Sequence, residues 1–62
     1  MLTPDEKRLL LQADKRLVKA SKKNIQCLNT LCDKGLLHFN ALDGGFRLSQ
    51  DGKKAVWYIK QE

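Results

Sequence analysis

Little in this chain could build an enclosed catalytic centre. It has one histidine, His38, and two cysteines, Cys27 and Cys32, and it lacks the GxxxxGK(S/T) glycine cradle that wraps phosphates. Nucleophile–base pairs and zinc sites need such groups in convergent sets, and His38 has no cysteine or carboxylate at a spacing that implies one. The two cysteines fall five positions apart in the strongest helical pattern, about 140° apart around its axis, so they cannot jointly grip an ion. They are expected to be reduced thiols. Long apolar runs are missing too: the longest are residues 9–11 and 55–59, against the ~20 residues of a membrane span. The opening Met-Leu-Thr-Pro-Asp-Glu has neither the basic nor the apolar region of a secretory signal, so the cytoplasm is the expected location. Aromatics are sparse at 6%, and Phe39, Phe46, Trp57 and Tyr58 are expected mostly in the core, which leaves RNA binding without a stacking platform. No enzyme activity, cofactor or metal is expected.

What is present suits a small folded domain. A hydrophobic share of 42% with 31% charged residues is that of a globular protein. A length of 62 residues leaves room for one domain, 1–62, and one core, with ~60% of the unfolded chain's surface buried. The net charge is +5, and its placement is uneven. Lys7, Arg8, Lys15, Arg16, Lys19, Lys22 and Lys23 face only Asp14 in their stretch, while the rest of the chain sums to −1. Such a patch attracts polyanions and speeds their encounter, although a solvated helix face is the commoner origin of a charge run.

Thr3-Pro4-Asp5-Glu6 opens the first helix, with Thr3 as cap, Pro4 at the first helical position and Glu6 as the capping-box partner. Leu10, Ala13, Leu17 and Ala20 continue at helical spacing. The pattern permits one helix over 4–20 or a break near Ala13 and Asp14 followed by a short helix over 15–20. The break is preferred, because Asp is a better cap than interior residue. Ser21 is expected to cap a helix over 22–34 that ends at Gly35, with Ile25, Leu28, Leu31 and Cys32 facing the core and Leu36 packing back. Its other side carries Lys22, Lys23, Gln26, Asn29, Thr30 and Asp33, where amides and a hydroxyl stand in place of the usual Glu and Lys pairs. Residues 36–42 and 46–48 alternate around Asp43-Gly44-Gly45, which predicts a hairpin. Ser49 then caps a helix over 50–60 with Gly52, Val56 and Ile59 on one side, although residues 56–59 would also suit a strand.

The run Ile25-x-x-Leu28-x-x-Leu31-x-x-Lys34-Gly35-Leu36-Leu37, followed by Gly45-Phe46-Arg47-Leu48-Ser49-x-x-Gly52, resembles the recognition helix, wing and following helix of winged helix-turn-helix regulators of the MarR and ArsR types. The resemblance covers the last two-thirds of the chain and implies an α+β fold: two or three N-terminal helices, a two-stranded wing and a short C-terminal helix. The front end is abbreviated, since only 21 residues precede Lys22 where the family has two helices and a connecting strand. The wing is short, so deep insertion of its tip into a minor groove is not expected.

In that family the recognition helix enters the major groove with its N-terminal half nearest the bases. Carried over by position, Lys22, Lys23, Asn24, Gln26 and Thr30 become the candidate base readers, with Cys27 at the margin. Amides suit adenine N6 and N7, and lysine suits guanine O6 and N7 or a phosphate. Lys15, Arg16, Lys19 and Arg47 become the candidate phosphate contacts, which fix register without reading sequence. The function implied is sequence-preferring binding of double-stranded DNA by a small bacterial or phage transcriptional regulator, with a homodimer expected on a two-fold site. The alternative is a winged-helix protein-interaction module with no nucleic-acid ligand, to which an exposed patch of Leu11, Val18 and Trp57 would point.

Overall fold

The computed structural model describes residues 2–61 and orders them as α1 (Pro4–Lys15), α2 (Ile25–Asp33), β1 (Leu37–Asn40), β2 (Gly45–Leu48) and α3 (Gln50–Lys60). The class is α+β, and the sequence of helix, helix, hairpin, helix is that of a small winged-helix-like fold. No helix among the described residues is long and apolar enough to cross a membrane.

Thr3 and Glu6 start α1 as their spacing predicts. The Glu6 N–H donates to Thr3 Oγ1 at 3.2 Å, and the Thr3 N–H donates to Glu6 Oε1 at 3.0 Å, so two otherwise orphaned donors are satisfied. Glu6 does more than cap. It is 5% exposed, and its second oxygen accepts a hydrogen bond from Lys34 Nζ at 2.8 Å, which ties the beginning of α1 to the end of α2. The Lys34 ammonium, and after it the Thr3 backbone N–H, hold this carboxyl at a pKa of about 2.

The expected break at Ala13 and Asp14 does not occur. α1 continues through both to Lys15, and Asp14 caps nothing; its carboxylate accepts from Lys60 Nζ at 2.9 Å. The short second helix over 15–20 is also absent, since Arg16 is extended at φ −162° and ψ 166°. The reason is tertiary: Val18 donates to the Phe46 carbonyl at 3.2 Å and accepts from the Phe46 N–H at 2.7 Å. This segment thus lies beside β2 as a one-residue third strand, and pairing outweighs its helical periodicity.

The second helix also begins later than expected. Residues 22–24 form a turn, and the N-cap of α2 is Asn24 rather than Ser21. The Ser21 carbonyl accepts from the N–H groups of Asn24 and Ile25 at 3.2 and 2.9 Å. The exit of α2 follows expectation. Gly35 takes φ +77°, its N–H donates to the Cys32 carbonyl, and the Leu36 N–H reaches back to Leu31 at 2.9 Å. This is the paired 5→2 and 6→1 pattern that closes a helix through a left-handed residue.

β1 and β2 pair antiparallel with Leu37 opposite Leu48, His38 opposite Arg47 and Phe39 opposite Phe46. Asn40 Oδ1 accepts from Leu42 and Asp43 across the four-residue turn, which keeps the wing short. Ser49 caps α3 by accepting from the Gly52 N–H at 3.0 Å, and residues 56–59 are helix, not strand. Gly52 is buried where a Cβ would land on the Leu36 carbonyl oxygen, so a bare Cα is what lets α3 seat against the entry to the hairpin.

One core draws on every element: Leu9 and Leu10 of α1, Val18, Leu28 and Leu31 of α2, Leu37, Phe46 and Val56. Leu10, Leu28 and Leu31 are fully buried, each contributing ~2 kcal/mol by removal from water. Cys32 is half-buried against this core, whereas Ile25, expected to face it, is half-buried at the α2 entry beside Ala20, Ser21 and Lys22 and does not join it. Cys27 and Cys32 are free thiols; burial, and less strongly the Asp33 charge, pushes the Cys32 thiol up. The aromatics depart from expectation. Phe46 alone is in the core, while Phe39, Trp57 and Tyr58 are 58%, 58% and 68% exposed.

Candidate nucleic-acid interface

α2 presents its polar residues on one side because its leucines are pinned on the other. Leu28 and Leu31 point inward, and Gln26, Asn29, Thr30 and Asp33 are exposed within about 100° of arc. This face carries one carboxylate and no cation. Its cations come from the turn before the helix, where Lys22 and Lys23 are exposed.

The five candidate base readers are therefore not equivalent. Lys22, Lys23 and Gln26 are exposed and available to a ligand. Thr30 is exposed, but its hydroxyl proton is spent on the Gln26 carbonyl at 3.0 Å, leaving it an acceptor. Asn24 is committed: Oδ1 accepts from the Ser21 N–H at 2.7 Å, and Nδ2 donates to the Lys19 carbonyl at 3.2 Å. Asn24 is a turn-forming residue, and the late start of α2 is the cause. Asn29 shares the outward face and is the better amide candidate; its place three positions after Gln26 was visible in the helical spacing.

Of the phosphate candidates, Lys15, Arg16 and Arg47 are brought together and Lys19 is not, and Arg8, His38 and Lys53 join them. A groove of about 220 Å³ between α1 and the α2 entry is lined by Arg8 and Lys23, together with Asp5, Leu9, Asn24 and Cys27. A shallower one, lined by Arg8, Gln12, Lys15 and Arg16, continues it along the exposed flank of α1. Lys15 and Arg16 then reappear on the wall of a third, of about 280 Å³, with His38, Arg47 and Lys53. Shared lining residues make this one basic track, running from the turn before α2 along α1 to the outer face of the hairpin. Arg8 lies seven positions before Lys15, hence on the same flank. Lys53 and His38 join only through the tertiary fold and left no mark in the sequence.

Among the described residues, Arg8, Lys15, Arg16, Lys19, Lys22, Lys23 and Lys53 make no ion pair, whereas Arg47 Nε donates to Asp43 Oδ2 at 2.6 Å. Arg47 is thus half-neutralised by its own turn. Lys19 is exposed next to buried Val18. The geometry provides a line of cations beside a polar helix face of two amides, a hydroxyl and one carboxylate, an arrangement that can hold a phosphate backbone and offer amides to what lies between the phosphates. Comparison with protein-family models, with curated proteins and with solved structures gives no match for this chain.

Proposed function

We propose that this protein is a cytoplasmic DNA-binding module of winged-helix type, a small transcriptional regulator that reads duplex DNA through α2. Gln26 and Asn29 face the bases, Lys22 and Lys23 approach the groove edge, and the track through Arg8, Lys15 and Arg16 lies along the phosphates. The observation that carries this reading is the adjacency of an exposed amide face to a continuous line of unpaired cations. The longest dimension of the body is 31 Å, which covers about nine base-pair steps. One copy therefore reads a short site, and a homodimer on a two-fold-related pair of sites is the proposed assembly. Of the patch named for the interaction-module alternative, Val18 is buried at 3% exposure, Leu11 is half-buried and Trp57 is exposed.

The test is a titration against mixed duplex DNA at several salt concentrations. If four or five cations displace counterions, the slope of log K on log[salt] is about −4, and affinity falls roughly 10²-fold between 50 and 200 mM. Gln26→Ala should narrow discrimination between preferred and random sites by ~1–3 kcal/mol while preserving the salt slope. A flat salt response ends the proposal.

A further inference from the structure

The basic track ends in a cleft whose features exceed what a duplex backbone contact needs. Lys15 and Arg16 from the end of α1, Arg47 and His38 from the hairpin, and Lys53 from α3 surround about 280 Å³, with Asp14 the one carboxylate on the wall. Asp14 is already paired with Lys60. Along α3, Lys53, Trp57 and Lys60 lie within about 60° of one another on a helical wheel. Lys53 lines the cleft and Lys60 reaches the Asp14 on its wall, while Trp57 does not line the cleft itself but follows Lys53 by one turn, about 40° around the outer side of α3. Its indole is 58% exposed and meets Tyr58 edge-to-face at 5.1 Å. A soluble domain that leaves its one tryptophan in water, one helical turn from a concentrated positive charge, presents both halves of a nucleotide-binding surface: cations for phosphate and a π-face for a base.

We propose that this cleft and Trp57 form a binding site for single-stranded polynucleotide, with phosphates held by Lys15, Arg16 and Lys53 and a base stacked on the indole. The site goes beyond the duplex reading: it shares Lys15 and Arg16 with it but makes no use of the α2 face. Charge complementarity selects the occupant, because four cations against one neutralised carboxylate suit a polyanion better than an apolar peptide. Arg47, freed from Asp43 by a competing phosphate, closes the hairpin side.

Trp57 is the only tryptophan, so its fluorescence reports this site alone. Titrating the full chain with a deoxyuridylate decamer, and in parallel with decauridylate, should quench that emission saturably, and the better quencher identifies the favoured backbone. Lys53→Gln should weaken binding several-fold with an unchanged melting temperature, and an abasic decamer of equal charge should bind about tenfold more weakly and without quenching. Unchanged emission on adding either oligomer overturns the proposal, as does a Lys53→Gln variant with undiminished affinity. Gln26→Ala, tested on duplex DNA, separates the two readings: its failure to alter site discrimination counts against the α2 assignment and leaves the quenching result untouched.

Discussion

Replacing Glu6 by Gln tests the clasp between the two N-terminal helices. The substitution keeps a side-chain oxygen to accept the Thr3 N–H, so the capping box survives and the ionic contact to Lys34 is what is lost. Folding lowers the pKa of this carboxyl from 4.5 to about 2. A gap of that width corresponds to about 3 kcal/mol at most. Lys34 is 37% exposed, however, and solvent screening brings the contribution down to ~1–2 kcal/mol. Because the folded-state value is the lower one, this stabilisation is complete above pH 4.5 and is lost as the pH falls toward 2. In a domain of this size the deficit of Glu6→Gln near neutral pH amounts to roughly 5–10 °C in melting temperature. Thermal unfolding followed by circular dichroism, run on both proteins from about pH 6 down to pH 2, should show two curves that start apart and converge. An offset that stays constant across this range, or none at the upper end, refutes the assignment. A cycle with Lys34→Gln should return a coupling of ~1 kcal/mol or more for the pair.

Gly52→Ala places a methyl group on the Leu36 carbonyl oxygen, so α3 must shift away from the hairpin entry; urea unfolding should report a loss of ~2–4 kcal/mol, whereas Ala at an ordinary helical glycine would stabilise. Leu31→Ala empties a fully buried position and should cost ~2–5 kcal/mol in the same assay. The pair Lys15→Gln and Arg16→Gln should leave stability nearly unchanged and reduce the salt slope of DNA binding by about 2, measured by fluorescence anisotropy. An unaltered slope would remove both residues from the interface.

Where local chemistry decides structure, the sequence was readable. The Thr3–Glu6 box, the Gly35 exit and the Ser49 cap each rest on groups within a few positions of one another, and all three form as their spacing implies. The errors lie where distant residues compete. Helical periodicity through Leu17 and Ala20 was real, but Phe46 offers Val18 two backbone hydrogen bonds from far along the chain, which local spacing cannot register. Ser21 and Asn24 are both good caps three positions apart, and only the finished turn shows that Asn24 holds the capping position while Ser21 supplies the carbonyl. The candidate interface divides in the same way. Lys22, Lys23, Gln26, Lys15 and Arg16 were legible from pattern and charge, whereas His38 and Lys53 meet the α1 cations through tertiary packing. The exposure of Trp57, Tyr58 and Phe39 runs against the ordinary tendency of aromatics to be buried, and composition alone gave no hint of it.

The contact of Val18 with Phe46 has a consequence for self-association. A bare two-stranded ribbon has two open margins, and each can template unwanted pairing with another molecule. By occupying the β2 margin, the linker after α1 confines any such encounter to the four residues of β1, a length too short to support much lateral growth. Solubility of the wing is thus built into the N-terminal third of the molecule, and Val18→Pro, which removes the N–H donated to Phe46, should make the protein more prone to aggregate.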